Sequence, residues 1–253
     1  MYINKRGKGK AVVLIHGWGF SGKIWEDLLE GMKNKYKFFI IDLPGMGDSS
    51  IIKPYKIDNL IKEIHKQIPN KVTMIGWSLG AQIAMKYSLK YPRNINHLIC
   101  ISSTPCFIKK PGWDYGVDKN FFIKFKKELS SNWQKALKNF FLLQLIRNKR
   151  YKNILMRFEK YFIKIKPPTK EGLEKTLNLL EDIDLRDDVE RINTSTLIIT
   201  SKKDMVCSYK ASIWLQSAIK GSQIFLFDSS GHIPFINHKK KCIQLIDEFI
   251  KVN

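Results

Sequence analysis

The 253-residue chain has 44% hydrophobic residues, enough for one substantial core, and a formal net charge of +21. No apolar run reaches the roughly 18 residues that span a bilayer, and the N-terminal residues lack the apolar region of a secretory signal peptide. The cysteines have neither metal-site nor disulfide-framework spacing. We therefore expect a cytoplasmic protein without membrane association, metal or cofactor, with reduced thiols at Cys100, Cys106, Cys207 and Cys242.

Short apolar runs alternate with helical patterns up to residue 102, and the alternation resumes after residue 195. Such alternation predicts an α/β fold with a mostly parallel central sheet, covered by helices on both faces. Strands are predicted at 11–15, 38–42, 72–75, 97–102, 196–200 and 224–227, and helices at 24–33, 57–67, 81–91, 211–218 and 240–252.

The strand pattern is interrupted between residues 107 and 168. Aromatic and leucine residues recur at helical spacing near 121–125, 133–144 and 154–162, and a fourth helix is predicted at 173–180. Pro167 and Pro168 mark the end of the interruption. We predict a helical lid over residues 108–168, inserted into one core domain formed by residues 1–107 and 169–253.

The motif Gly76-Trp77-Ser78-Leu79-Gly80 is the most informative stretch of the sequence. It lies between an apolar run and a helical pattern, which is the strand, turn and helix of a nucleophile elbow. The sharp turn strains the backbone of the serine and holds its hydroxyl at a helix N-terminus, where negative charge is favoured. Ser78 is the candidate nucleophile, and the alternative is a Gly/Ser turn in a binding protein.

Two later residues complete a candidate catalytic triad. An α/β hydrolase places its acid and then its histidine after the serine along the chain. Asp204 and His232 each follow a predicted strand, at the sheet edge where such folds build their sites. His232 would take the proton from Ser78, and Asp204 would orient the imidazole. Asp228 is the main rival acid, because it lies four residues before His232.

The remaining acidic and histidine residues are weaker candidates for the triad. Asp187 and Asp188 precede a predicted strand and therefore lie at its wrong end. We interpret His65, His97 and His238 as ordinary surface residues.

The loop His16-Gly17-Trp18-Gly19, which follows the first predicted strand, is the candidate oxyanion loop. In this fold one oxyanion N–H comes from the residue after the nucleophile, here Leu79, and the second from an early loop. Trp18 is the natural second donor, because flanking glycines let the backbone approach a ligand. His16 could act as a base, but we interpret it as a residue that braces the loop.

The positive charge is concentrated in the predicted lid. Residues 109–166 contain 16 basic and 4 acidic side chains, so a lysine-rich composition alone does not account for the distribution. A basic surface favours a polyanionic partner such as nucleic acid, an anionic membrane or an acidic protein. Nucleic acid is disfavoured because the segment has no recognised nucleic-acid-binding motif.

Several blocks together resemble the pimeloyl-[acyl-carrier protein] methyl ester esterases of biotin synthesis, within the α/β-hydrolase superfamily. Leu-Ile-His-Gly-Trp-Gly-Phe, Asp-Leu-Pro-Gly-Met-Gly-Asp-Ser and Gly-His-Ile-Pro-Phe-Ile stand at 14–20, 42–49 and 231–236. The more specific blocks are Trp-Ser-Leu-Gly at 77–80, Ser-Ser-Thr-Pro-Cys-Phe at 102–107 and Phe-Phe-Leu-Leu-Gln at 140–144. The resemblance covers essentially the whole chain.

This resemblance implies an esterase that removes the methyl ester from pimeloyl-acyl carrier protein without a metal or cofactor. It implies a monomer whose basic lid docks the acyl carrier protein, although lysines here replace many arginines of the family's lid. The implied docking residues are Lys135, Lys138, Arg147 and Arg150. The implied substrate contacts are Trp18, Ser78, Leu79, Phe140, Phe141, Leu142, Leu143, Gln144 and His232.

Three other functions stay open at this stage. One is a general carboxylesterase and another is a carbon–carbon bond hydrolase of the same fold. The third is a catalytically silent binding protein, which the intact set of serine, acid and histidine argues against.

Overall fold

A seven-stranded sheet crosses the protein in the computed structural model, which describes residues 1–32, 35–145 and 166–252. The strand order across the sheet is β1-β3-β2-β4-β5-β6-β7. Strand β1 runs antiparallel to β3, and all other neighbours are parallel. The strands are β1 (Ile3–Gly7), β2 (Lys10–Ile15), β3 (Tyr36–Ile41), β4 (Val72–Trp77), β5 (Ile95–Ile101), β6 (Ser195–Ser201) and β7 (Gln223–Phe227).

Helices flank the sheet, and the prediction of a mostly parallel α/β fold is confirmed. All six residues of β4 are buried. Because successive side chains of a strand point to opposite faces, both faces of the sheet are covered at this strand. The helices of the described residues are α1 (Glu26–Gly31), α2 (Ile57–Gln67), α3 (Leu79–Lys90), α4 (Lys119–Ser131), α5 (Trp133–Leu145), α6 (Lys170–Asp182), α7 (Tyr209–Ala218), α8 (Pro234–Asn237) and α9 (Lys239–Val252).

The edge strand β1 is absent from the sequence-based prediction. Its five residues are exposed or half-buried, so they carry no apolar run that would signal a strand. Pairing with β3 forms this strand, and the register runs from Ile3 opposite Ile41 to Gly7 opposite Lys37. A strand stabilised by its neighbour in this way is difficult to detect from local sequence.

Three helices of the described residues lie between β5 and β6. Asp118 caps α4 by accepting hydrogen bonds from the N–H groups of Asn120 and Phe121. Thr169 caps α6, where its Oγ1 accepts from the Gly172 N–H at 3.0 Å. The predicted helix near 154–162 and the basic residues Arg147 and Arg150 lie outside the described residues. The division into core and lid at residues 108 and 168 therefore stays a prediction.

Helix α5 presents one face to the protein and the other to solvent, as its sequence pattern predicts. Leu137, Phe141 and Gln144 are buried. Lys135 and Lys138 are exposed. The buried face meets the loop after β2, where the ring centroids of Phe140 and Trp18 are 4.9 Å apart and those of Phe141 and Phe20 are 4.5 Å apart. The aromatic pairs therefore hold α5 against the candidate oxyanion loop.

Within the described residues no helix is long and apolar enough to cross a membrane. The four cysteines are free and buried. The described part of the chain also has no group of three or more His, Cys, Asp or Glu side chains that could hold a metal ion.

The glycines of the elbow let β4, α3 and β2 approach closely. A Cβ atom added at Gly76 would lie 2.3 Å from the carbonyl oxygen of Gly80. A Cβ atom at Gly80 would lie 2.2 Å from the carbonyl oxygen of Ile15 and 2.7 Å from that of His16. Since backbone atoms cannot move aside as a flexible side chain does, any larger residue would separate the helix from the sheet.

We expect Gly80→Ala to destabilise the fold by about 3 kcal/mol or more, because the added methyl group overlaps two backbone carbonyls. Gly221→Ala is the matched control: its Cβ would meet no atom within 4 Å, but Gly221 has a φ of +74°. That backbone conformation alone costs an alanine about 1–2 kcal/mol. Urea unfolding followed by circular dichroism measures both losses. An equal or smaller loss at Gly80 would contradict the steric argument.

Candidate active site

Ser78 occupies a strained turn between β4 and α3. Its φ of +55° and ψ of −120° lie in a region that non-glycine residues rarely adopt. The turn is held by hydrogen bonds on both sides, from the Ser78 N–H to the Ile101 carbonyl at 2.9 Å and from the Ser103 hydroxyl to the Ser78 carbonyl at 3.1 Å. The surrounding sheet thus fixes the direction of the serine side chain.

Asp204 and His232 form a buried hydrogen-bonded pair. The Nδ1 atom of His232 lies 2.8 Å from Oδ2 of Asp204, and both side chains are 1% exposed or less. The other carboxylate oxygen of Asp204 accepts the N–H groups of Val206 at 2.8 Å and Cys207 at 2.9 Å. These backbone donors stabilise the charged carboxylate and fix its orientation toward the imidazole.

The contacts of His232 determine its tautomer. A carboxylate only accepts hydrogen bonds, so Nδ1 carries the proton and Nε2 is left as a base. The Nε2 atom is buried and has no hydrogen-bond partner among the described residues. The Trp77 indole N–H donates to the His232 carbonyl at 2.9 Å and so ties the histidine loop to the elbow. The arrangement suits an imidazole that accepts a proton.

The rival acids have other partners. Asp228 is exposed and pairs with Lys202 at 2.6 Å, and the Lys202 ammonium lowers the pKa of the Asp228 carboxyl. Asp188 forms ion pairs with Lys86 and Arg191. Asp204 is therefore the carboxylate that contacts His232.

The loop after β2 lies against the elbow. A Cβ atom added at Gly17 would be 3.3 Å from the Ser78 Cβ and 3.0 Å from the Trp77 ring. Leu79 is the first residue of α3, where backbone N–H groups have no acceptor within the helix. The Trp18 indole donates to the Leu173 carbonyl at 3.0 Å, which anchors the loop to α6. The loop that contains Trp18 and the first turn of α3 thus both lie beside Ser78.

His16 braces this loop, as the sequence-based interpretation proposed. Its Nδ1 atom lies 2.7 Å from the Gly17 carbonyl, and its Nε2 accepts the Leu43 N–H at 3.0 Å. Burial lowers the pKa of His16, against an opposing effect of Asp42. Both ring nitrogens are occupied, so the neutral imidazole acts as a structural link between two loops.

A cavity of about 750 Å³ lies beside these residues. Asp204, Trp18, Phe140 and Leu143 reach its wall, whereas Ser78, Leu79, Phe141, Leu142, Gln144 and His232 do not line it. The serine is only 7% exposed. The cavity is mainly apolar, and its wall also includes Phe107, Tyr115, Phe121, Phe122, Phe125, Leu177, Leu180 and Met205.

Gln144 is the polar exception on the buried face of α5. Both atoms of its side-chain amide are buried and have no hydrogen-bond partner among the described residues. The backbone carbonyl oxygen of Gln144 would lie 2.9 Å from a Cβ atom added at Gly231, the residue before His232. A buried amide without partners is costly, so a bound polar group would stabilise it.

Sequence reasoning missed several residues near the elbow. Ser103 and Cys207 contact parts of the candidate triad. Ser103 lies in the block at 102–107 but was given no role of its own, and the available signal for Cys207 was its position three residues after Asp204. The interpretation of His97 as a surface residue is wrong. His97 is buried in β5, and its Nδ1 lies 3.1 Å from the Thr73 hydroxyl on β4.

Comparison with known proteins agrees with this geometry. Residues 10–239 match the family model described as alpha/beta hydrolase fold. The chain is 32% identical over 252 residues to the pimeloyl-[acyl-carrier protein] methyl ester esterase of Legionella pneumophila (strain Lens), with 99% of each chain covered. The chain belongs to this esterase family of α/β hydrolases. The enzyme of the same name from Nitrosomonas europaea is 26% identical over 247 residues, with 98% of each chain covered.

Solved structures show the same architecture. An esterase from Exiguobacterium antarcticum superimposes with a TM-score of 0.89 and 25% identity, covering 99% of this chain and 95% of that chain. A bromoperoxidase from Bacillus anthracis superimposes with a TM-score of 0.89 at 23% identity, over 99% of this chain and 95% of that one, a likeness of fold. The resemblance found in the sequence and the predicted α/β-hydrolase fold are confirmed.

Proposed function

We propose that this protein is a serine carboxylester hydrolase that removes the methyl ester from pimeloyl-acyl carrier protein. The main structural support for serine hydrolase chemistry is the buried pair of Asp204 and His232 beside the strained serine of the elbow. The substrate is suggested by the names of the relatives, which match the chain over nearly its whole length.

The first half of the reaction acylates the serine. Ser78 Oγ attacks the carbonyl carbon of the methyl ester while His232 Nε2 takes its proton. The oxyanion that forms accepts the N–H groups of Leu79 and Trp18. The imidazolium, stabilised by Asp204, then gives its proton to the departing methoxide, and methanol leaves.

The second half releases the product. A water molecule gives a proton to His232 and attacks the acyl carbon, so the oxyanion forms again at the same donors. Collapse breaks the bond to Ser78 Oγ, which regains the proton from His232. The product is a free carboxylate at the far end of the acyl chain, and no cofactor takes part.

Access of the ester to Ser78 is part of the proposal. Ser78 and His232 are buried and do not line the cavity, so we propose that nearby side chains shift when the ester binds. Residues on the buried face of α5, including the unpartnered Gln144, are suited to this change. The apolar cavity wall suits the methylene chain of a pimeloyl group.

The positive charge of helices α4 and α5 favours binding of an acidic partner. Together they carry six lysines and one glutamate, and Lys135 and Lys138 on α5 are exposed. The opposite face of α5 contacts the oxyanion loop through Phe140 and Phe141. An acidic carrier protein bound on the lysine face would thus lie over the helix that covers the site, so we propose Lys135, Lys138, Arg147 and Arg150 as its docking residues.

A general carboxylesterase is the second candidate. It is favoured by the structural likeness to the esterase from Exiguobacterium antarcticum. The two functions differ in whether the carrier protein raises kcat/KM. Measuring kcat/KM for a carrier-bound ester and for a small ester distinguishes them.

We expect Ser78→Ala to lower kcat on the carrier-bound methyl ester by about 10⁴–10⁶, because the nucleophile is lost. Methanol release and the mass of the carrier-bound acid measure turnover, and circular dichroism checks the fold. Substantial residual activity in a folded Ser78→Ala protein would rule out the serine mechanism. A wild-type protein that cleaves small esters and leaves the carrier-bound ester intact would favour the general carboxylesterase.

Asp204→Asn should lower kcat on p-nitrophenyl butyrate by about 10⁴, because an amide at this position favours the wrong tautomer of His232. Asp228→Asn is the control, since this exposed carboxylate pairs with Lys202 and not with His232. Its kcat should stay within about twofold of wild type. The reverse pattern would assign the acid to Asp228.

Charge reversal on α5 tests carrier docking. Lys135→Glu/Lys138→Glu should lower kcat/KM for the carrier-bound ester about tenfold or more, since these charges steer an acidic partner. Adding Arg147→Glu and Arg150→Glu should deepen the loss. The same variants should keep wild-type kcat on a small neutral methyl ester.

The matched control is Lys10→Glu/Lys220→Glu, which reverses two exposed lysines at the amino ends of β2 and β7, away from the site. It should change kcat/KM for the carrier-bound ester by less than about threefold, because charge beyond about 8 Å is screened at physiological salt. If both pairs of substitutions lowered kcat/KM equally, the loss would be due to net charge, and docking on α5 would be excluded.

A further inference from the structure

Helix α4 lines the cavity with one of its faces. Phe121, Phe122, Phe125 and Glu128 reach the cavity wall from this helix, at the spacing of residues that share a helical face. At a rise of about 1.5 Å per residue, Phe121 and Glu128 stand about 10 Å apart along the helix axis. The cavity therefore has two ends along α4, and the residues at these ends differ in charge.

One end, which we call the polar end, lies toward the connection between α4 and α5. A single residue, Asn132, joins the two helices, and Glu128 and Asn139 line the cavity from either side of it. Both of these lining residues are exposed. In the described part of the chain, Glu128 and Asp204 are the only acidic residues that line the cavity, and no ion pair there includes Glu128. The polar end thus carries a negative charge that no described ion pair offsets.

The other end, which we call the basic end, lies beside the start of α7. Lys202 and Tyr209 line the cavity there, together with Phe121 of α4. The ring centroids of Trp214 on α7 and Trp113 lie 5.1 Å apart, which places α7 beside the segment that leads into α4. The basic end therefore has a lysine where the polar end has a glutamate.

We propose that the acyl chain of the substrate extends toward the polar end, and that Glu128 there selects esters whose far end is uncharged. The proposal rests on the serine esterase function proposed above. In that reaction His232 protonates the departing alcohol, so the alcohol lies on the side of the histidine and the acid, where the loop toward the basic end begins. The acyl chain then extends the other way, along the Trp18 ring, whose centroid is 5.5 Å from that of Phe125. Glu128 stands one turn beyond Phe125 on α4.

The far end of the acyl chain differs in charge between the carrier-bound ester and the free ester. A thioester joins a pimeloyl group to its carrier and is neutral, whereas free monomethyl pimelate has a carboxylate at the same carbon. Glu128 would repel that carboxylate, and removing it from water beside an apolar wall is costly as well. Glu128 would therefore favour the carrier-bound ester by rejecting the free one, a repulsive element that adds to the attraction of the carrier by lysines.

Two small methyl esters that differ in charge at the far end test this role. Monomethyl pimelate is anionic there, and its N-methylamide is neutral. Glu128→Gln should raise kcat/KM for monomethyl pimelate about two- to fivefold, the size expected for removing one repulsive charge at a partly exposed site. The same variant should leave kcat/KM for the N-methylamide unchanged. Methanol release measures both rates, and where turnover is too slow to follow, inhibition constants against cleavage of the carrier-bound ester give the same comparison.

Two further variants serve as controls. Lys202→Gln removes the charge of the basic end and should leave kcat/KM for monomethyl pimelate nearly unchanged, because charge beyond about 8 Å is screened at physiological salt. Glu190→Gln changes the net charge by the same amount as Glu128→Gln, but at an exposed residue in the turn before β6, near the amino end of that strand. It should leave the ratio of the two kcat/KM values at its wild-type level.

A Glu128→Gln protein with wild-type melting temperature and an unchanged ratio of the two kcat/KM values would overturn the proposal. A Lys202→Gln protein that loses activity on monomethyl pimelate and keeps it on the N-methylamide would overturn it too, because the far carboxylate would then lie at the basic end. If Glu128→Gln fails to fold, Glu128→Ala gives the same test. Should the wild type cleave no methyl ester, carrier-bound or small, the proposed function itself fails, which is a distinguishable result.

Discussion

The strained backbone of Ser78 is the constraint on which the rest of the site depends. Its positive φ is tolerated because β5 and the residues that follow it bind the turn, through the Ile101 carbonyl and the Ser103 hydroxyl. The close approach of Gly76 and Gly80 to neighbouring backbone leaves no room for the turn to relax. The same geometry starts α3 at Leu79, so one feature fixes both the proposed nucleophile and a proposed oxyanion donor.

Burial explains why the acid and histidine are so thoroughly hydrogen-bonded. A carboxylate removed from water is costly unless donors surround it, and Asp204 has the His232 ring and two backbone N–H groups. The Nε2 of His232 and the side-chain amide of Gln144 are among the buried polar groups without a partner in the described part of the chain. Each could form a hydrogen bond with a polar ligand.

Sequence alone was sufficient for the elements and residues that carry strong local signals. Buried strands such as β4 are short apolar runs, and the elbow motif combines fixed glycines with a strand and a helix. Strand β1 and the buried His97 depend on neighbours distant in the chain, which no local pattern records. The cavity wall likewise combines residues from several separate segments of the chain.

Recognition of the proposed substrate divides into two physical terms with different ranges. Burying each methylene of an acyl chain in the apolar cavity contributes about 0.8 kcal/mol, and this term acts only at contact. Exposed lysines such as Lys135 contribute little to affinity individually, because water and salt screen them. Their field nevertheless extends over about 8 Å and raises the frequency of productive encounters with an acidic partner. In the proposed function the acyl chain would therefore determine how tightly the ester is held, while the basic helices would determine how often it arrives.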